Sequence, residues 1–264
     1  MISHLQNSFE RIGARVKEGA PARRSFRPVS IVPISLDVLR DKKGEYFSIT
    51  GDKEVLSGLV VLDAQCKDRH LLLLSRNGKD KHRFLLGHDE RHWFVAAVPE
   101  GSPVSTVQAA KAALKPQVIL ERERGLRSKQ INRRRNSVRI RQGEWFFVPA
   151  SGLKPDPYLI LRKEPLRRGA GKPHICEELF RFGGEAVYVS RKHPNGLTEA
   201  EYQQLERTER ESQRWSLMRR NPRAYVRGTV RHPDHKTIRL IGWHEVFMNT
   251  ESQALAMRSV AFLD

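Results

Sequence analysis

Six short apolar runs, each closed by turn residues, constrain this chain more than any other feature. SIVPISL, YFSI, LSGLVVLDAQ, HLLLLS, HRFLL and HWFVAAV follow one another between about Pro28 and Val118. They are rich in β-branched and aromatic residues, and Lys43-Gly44, Asn77-Gly78 and Gly87-His88-Asp89 punctuate them. Runs of this length and composition are strands, and connections this short make neighbouring strands antiparallel. Asn77-Gly78 predicts a hairpin, because both residue types tolerate positive φ. A helix follows, with Ser105 or Thr106 as its cap, Val107, Ala110 and Leu114 as its face, and Pro116 as its stop. Residues 28–118 therefore read as a small α+β domain.

The pattern resumes beyond residue 138 with VRIRQGEWFFVPAS, YLILRK, HICEELFRF and EAVYVS, and later AYVRGTV and IRLIGWHEVFMN around a short polar loop. Between them, Thr198 and Glu201 form a capping box that predicts a helix running to about Arg220. The fold class expected is α+β: two mostly antiparallel, β-rich domains. The second (139–264) is barrel- or sandwich-like with an inserted helix over 199–220. In front of both, Leu5, Phe9, Ile12 and Val16 fall at helical spacing. Residues 1–27 thus read as an amphipathic helix docked on its own domain, followed by a basic arm, Arg23–Arg27.

A length of 264 residues suits two domains. No apolar run approaches the roughly 20 residues that cross a bilayer, so no membrane is expected. The start lacks the apolar core of a secretory signal, and Cys66 and Cys176 cannot build a disulfide framework. Those features predict a reducing, cytoplasmic setting. Cys66 is expected to be packed rather than nucleophilic.

Charge narrows the partners. The chain carries 48 Lys and Arg against 30 Asp and Glu, a formal +18. Nine basic residues stand between Glu121 and Arg141: Arg122, Arg124, Arg127, Lys129, Arg133, Arg134, Arg135, Arg139 and Arg141. Guanidinium groups fork onto phosphate and stack on bases, so these nine are the candidate nucleic-acid contacts, to RNA or DNA. The same composition would suit a solvated linker, and residues 119–138 are read as the basic boundary between the domains. Trp145 and Phe147, which could stack on bases, share one face of a strand and are expected in the core.

Two clusters carry possible metal chemistry. His174 and Cys176 lie two apart, on one face if the run is a strand, and His232-Pro233-Asp234-His235 crowds a turn. Three imidazoles and one thiolate are the number and kind of ligands that a zinc or iron site uses. Glu177 or Asp234 is available to shuttle a proton. A third cluster, Gly87-His88-Asp89-Glu90-Arg91-His92, could serve acid–base chemistry but reads as a solvated corner.

Arg141-Gln142-Gly143-Glu144, the glycine-rich stretch leading to His174-x-Cys176, and His232-x-x-His235 before TIRLIGWHEV resemble a group of small uncharacterised bacterial and phage β-rich proteins. Those carry an Arg-Gln-Gly-Asp start, a Gly-His-x-His strand and a His-x-x-His turn, and the similarity spans about residues 139–250. Here Glu144 replaces the Asp and Cys176 the second His. The resemblance implies a metal site held by His174, Cys176, His232 and His235, and no particular activity. A looser likeness to cupins would instead use His174, Glu177 or Glu178 and His244, but Met248 stands where that pattern needs Asn.

The leading expectation is a basic, non-enzymatic nucleic-acid-binding accessory protein with a structural zinc or iron site. The alternatives are a metal-dependent, nuclease-like hydrolase using the same cluster, and an interaction module with protein partners in a larger bacterial assembly. No Walker loop, Rossmann fingerprint or nucleophile elbow is present.

Overall fold

A computed structural model of the protein describes residues 2–19, 34–101, 103–168 and 172–254. The basic arm Arg23–Arg27, the glycine loop 169–171 and the last ten residues lie outside the described residues.

The first helix, α1 (Ser3–Arg11), buries Leu5 and Phe9 as its spacing requires. It ends earlier than the periodicity predicts. Gly13 takes φ 74°, and the chain then enters β1 (Val16–Glu18), which pairs in parallel with β3. The reason is that β2 (Ile34–Asp41) and β3 (Gly44–Gly51) form a hairpin with a free edge, and Val16 fills it opposite Phe47. A short helix, α2 (Lys53–Ser57), leads into a four-stranded antiparallel sheet: β4 (Val60–Gln65), β5 (His70–Asn77), β6 (Asp80–Asp89) and β7 (His92–Val98).

The β5–β6 hairpin turns as predicted, with Gly78 at φ 57° and Asn77 opposite Asp80. One face of this sheet packs Leu71, Leu73, Phe84 and Leu86 against α1 and the β2–β3 hairpin. The other packs Leu72, Leu85 and Ala96 under α3 (Val107–Ala113), whose cap is Thr106. Cys66 lies just past β4 and is exposed, not packed, because the strand ends at Gln65.

The basic segment is partly helical, with most of its cations exposed. It folds into α4 (Gln117–Arg122) and α5 (Ser128–Ile131) and then feeds β8 (Ile140–Gln142). Next come β9 (Trp145–Pro149), β10 (Leu161–Leu166), β11 (His174–Phe182) and β12 (Glu185–Val189). The predicted long helix is instead α6 (Glu199–Gln203), α7 (Arg207–Glu211) and a strand, β13 (Ser216–Arg220), paired with β12. Thr198 does cap α6 with Glu201 at N3. Beyond it there are too few apolar residues to hold a long helix against anything, whereas an extended Leu217 and Met218 can complete a hairpin. The chain finishes with β14 (Arg223–Arg231) and β15 (Ile238–Met248).

The second sheet runs β10-β11-β14-β15-β9-β8, with β10 and β8 as edges, so among the described residues it is open rather than closed into a barrel. The coarse expectation of an α+β, mostly antiparallel molecule holds. Trp145 and Phe147 enter its core with Leu179, Val226 and Val230, while Phe146 faces the other side with Ile119 and Val148. After β15 the chain returns to the first unit. Glu251 accepts from Ala97 N, Thr250 Oγ1 donates to the Ala113 carbonyl at 2.7 Å, and Ala254 joins the first core. No helix among the described residues is long and apolar enough to cross a membrane.

Candidate metal centre in an inter-sheet cleft

Gln142 fixes the first ligand. Its side chain is fully buried, and its amide nitrogen donates to the carbonyls of Lys236 (2.8 Å) and Val230 (3.3 Å). The carbonyl end must therefore face His174, whose Nδ1 lies 3.1 Å from it. An amide oxygen only accepts, so His174 Nδ1 carries the hydrogen and its Nε2 presents a lone pair. That Nε2 lies 3.7 Å from a Glu144 carboxylate oxygen. A lone pair facing a carboxylate repels it unless a cation, whether a proton or a metal, sits between them.

The other two imidazoles come from the turn between β14 and β15. Ring centroids are 4.2 Å apart for His174 and His232, 4.6 Å for His232 and His235, and 5.5 Å for His174 and His235. One ligand nitrogen from each of the three lies within 4.8 Å of the others. His232 Nε2 and His235 Nδ1 are buried without a hydrogen-bond partner. Burial, then repulsion by the neighbouring imidazoles, pushes His235 down to about 4, and the same two causes lower His232. Both rings are therefore neutral near pH 7, the form that ligates metal. His232 Nδ1 accepts the Asp234 N–H at 3.2 Å. Ligation through Nε2 would make Nδ1 a donor and give up that long contact.

Glu144 stands beside the trio and is not part of the close grouping. Burial alone would raise its carboxyl; it is held down, to about 2, only when a cation, here a proton on His174 Nε2, stands between the two groups. Cys176, the expected fourth ligand, is not in the grouping either. It shares the inward face of β11 with His174 but is fully buried among Leu179, Val226 and Val230. Burial pushes its thiol up to about 12, far from the thiolate a metal binds. Glu177 faces away, accepting Thr229 N on the opposite side of the sheet, so it cannot shuttle a proton here. His244 is likewise outside the trio, its Nδ1 against the Gly242 carbonyl. Among the described residues His174 thus meets His232 and His235, and neither Glu177 nor His244.

Gly143 is a site residue that spacing did not reveal. It sits at φ 56°, and a Cβ there would lie 2.6 Å from His235 Nε2. Glycine is needed both for the turn and for the approach of the ring. Gly143→Ala is expected to cost about 1–2 kcal/mol of stability, from the strained φ, and to displace His235, which would weaken a metal held by the three imidazoles by about 10- to 100-fold. Urea unfolding and competitive chelation would measure the two effects.

The centre opens into a cleft of about 810 Å³ between the two sheets, lined by Glu144, His232, His235 and Asp234 and by cations including Arg134, Arg141, Arg168 and Lys172. The turn at Asp89–Glu90 closes one side. Arg141 pairs with Asp89 at 2.9 Å, Arg134 with Glu90 at 2.9 Å, and Lys236 N donates to Glu90. This corner was expected to be solvated, but the Glu90 side chain is only 8% exposed because the second sheet docks on it.

The nine basic residues divide. Arg122, Arg124, Arg127, Lys129, Arg133 and Arg135 are exposed, Arg134 and Arg141 are half-buried in the ion pairs just described, and Arg139 is buried. Arg139 Nε donates to Glu123 at 2.8 Å, and Lys115 Nζ meets the same carboxylate at 2.6 Å. Arg139 is therefore structural. No family model, curated protein or solved structure matches this chain.

Proposed function

We propose that this protein is a metal-dependent phosphodiester hydrolase acting on nucleic acid. The observation that supports the reading is that three imidazoles converge in a cleft lined by cations and carboxylates, with no fourth residue among those described within reach of all three; Asp89 and Glu90 approach His235 alone. Closed four-ligand sites are structural, whereas three ligands leave a position for water. Zinc or iron suits an all-imidazole set. A metal held by His174, His232 and His235 would lower the pKa of bound water and polarise a phosphoryl oxygen.

The chain's own residues supply the rest. Glu144 takes a proton from the water as its oxygen bonds to phosphorus. The phosphorus–oxygen ester bond breaks, and the departing oxygen receives the proton that Glu144 took. One water is consumed, leaving a phosphate monoester and an alcohol. Arg168, paired with Glu251 at 2.8 Å, and Lys172, paired with Asp234 at 2.7 Å, stand in the cleft wall, where phosphate would compete with those carboxylates, and the exposed members of the 122–135 run continue the basic surface outward.

The test is metal content after dialysis against zinc or iron(II), together with cleavage of a single-stranded oligonucleotide. About one metal per chain is expected, kept by Cys176→Ala and lost by His174→Ala, with cleavage following the metal. Metal that survives His174→Ala, or leaves with Cys176→Ala, would overturn the site. A second reading, nucleic-acid binding without chemistry, is favoured by the six exposed cations; full metal loading with no cleavage would select it.

A further inference from the structure

The cleft is larger than a phosphate needs. At about 810 Å³ it lies in the upper part of the roughly 300–1,000 Å³ range of small-molecule sites. Its lining is also not uniform. On the side formed by β7 and the end of α3, Phe94 lines it over the buried Ala96 and Leu114, with His70 and the Lys111–Asp68 ion pair beside it. Phe94 is half-buried, packed on the core beneath α3 and in a T-shaped contact with the His70 ring at 5.6 Å, so the ring is held in place while part of it reaches the cleft. Asn132 and the exposed Lys129 and Arg133 line the same cleft. A held aromatic ring beside cations fits a ligand that is flat at one end and anionic at the other.

We infer that this wall is a base-binding subsite, so that the cleft takes a nucleotide unit: a nucleobase against Phe94 with its phosphate toward the cations and the imidazole centre. The inference rests on the hydrolase reading for what happens to the phosphate, but not for the recognition of the base. A duplex keeps its bases stacked on one another and offers none to Phe94. The nucleotide is therefore either free or part of a single strand. Stacking on an aromatic side chain depends on the π-face that every base has, so discrimination among bases is expected to be small.

The experiment is calorimetric titration of the full-length, zinc-treated protein with adenosine monophosphate and with ribose 5-phosphate, which lacks the base. Adenosine monophosphate is expected to bind at least tenfold more tightly. Phe94→Leu, which keeps an apolar side chain but removes the ring, is expected to bring the ratio toward one, and thermal unfolding of the variant checks that it folds. Equal affinity of the native protein for the two ligands overturns the subsite, and so does an unchanged ratio in folded Phe94→Leu. A third arm compares a 12-nucleotide single strand with its duplex. Preference for the single strand supports a strand as the source, tight binding of adenosine monophosphate with no such preference supports a free nucleotide, and preference for the duplex overturns the proposal. Zinc content is read on the same samples. Zinc retained with a ratio of one removes only the subsite, whereas a tenfold ratio without zinc removes only the hydrolase reading.

Discussion

Glu123→Gln is expected to lower the free energy of unfolding by about 3–5 kcal/mol, the usual cost of breaking a buried ion pair from one side. Glu123 sits between two cations, with side chains 3% exposed for the glutamate, 5% for Lys115 and 2% for Arg139. Glutamine keeps the shape and an oxygen for Asn136, but leaves two buried positive charges with nothing to balance them. Lys115 can relieve part of this by losing its proton, since burial already lowers its pKa despite Glu123. Arg139 cannot, and it also ties down the carbonyls of Ile131 (2.7 Å) and Arg133 (2.9 Å), so the whole loop leading to β8 depends on it. Lys115→Met should cost less, because Arg139 still neutralises the carboxylate. Arg124→Gln, on the exposed part of the same run, should stay within about 0.5 kcal/mol. Urea unfolding of the three variants reads the series. A Glu123→Gln protein as stable as Arg124→Gln would show that the triad carries no such energy.

The second large effect is on chemistry. Glu144→Gln is expected to retain metal and to lower cleavage by about 10²- to 10⁴-fold, the usual contribution of a positioned proton acceptor. Glutamine can still contact His174 but cannot take a proton from water. Glu144 stands 3.7 Å from His174 Nε2 and outside the close grouping of the three imidazoles, so its loss should not empty the site. Single-turnover cleavage and metal content on the same preparation make the comparison. If metal is lost with the charge, Glu144 is a fourth ligand and the site is closed and structural. If cleavage is unaffected, some other group accepts the proton.

Much of this arrangement is legible in the residues alone. Short apolar runs closed by turn residues place β5, β6 and β7, and the glycine after Asn77 places the β5–β6 hairpin, because a strand run and a positive-φ turn are local properties. Thr106 and Thr198 cap helices for the same reason. His232 and His235 reach one point because a three-residue separation inside a tight turn leaves little choice. Local reading fails where a distant segment decides the outcome. The turn at Asp89 and Glu90 looks solvated until Arg134, Arg141 and Lys236 arrive from the other sheet. Arg139 looks like its neighbours in the basic run until Glu123 and Lys115 enclose it.

Cys176 shows the limit most clearly. On a strand it must share a face with His174, and it does, but which part of that face meets the cleft and which meets the core depends on β14 and β15 lying across it. Sequence determined most strands and turns, the helix caps and the charge surplus, all set by neighbours along the chain, but not β1 and β13, which form by pairing with other strands. Tertiary structure alone decided which imidazoles meet, which thiol is sealed away and which arginines stay free, because those outcomes depend on burial and on partners tens of residues distant.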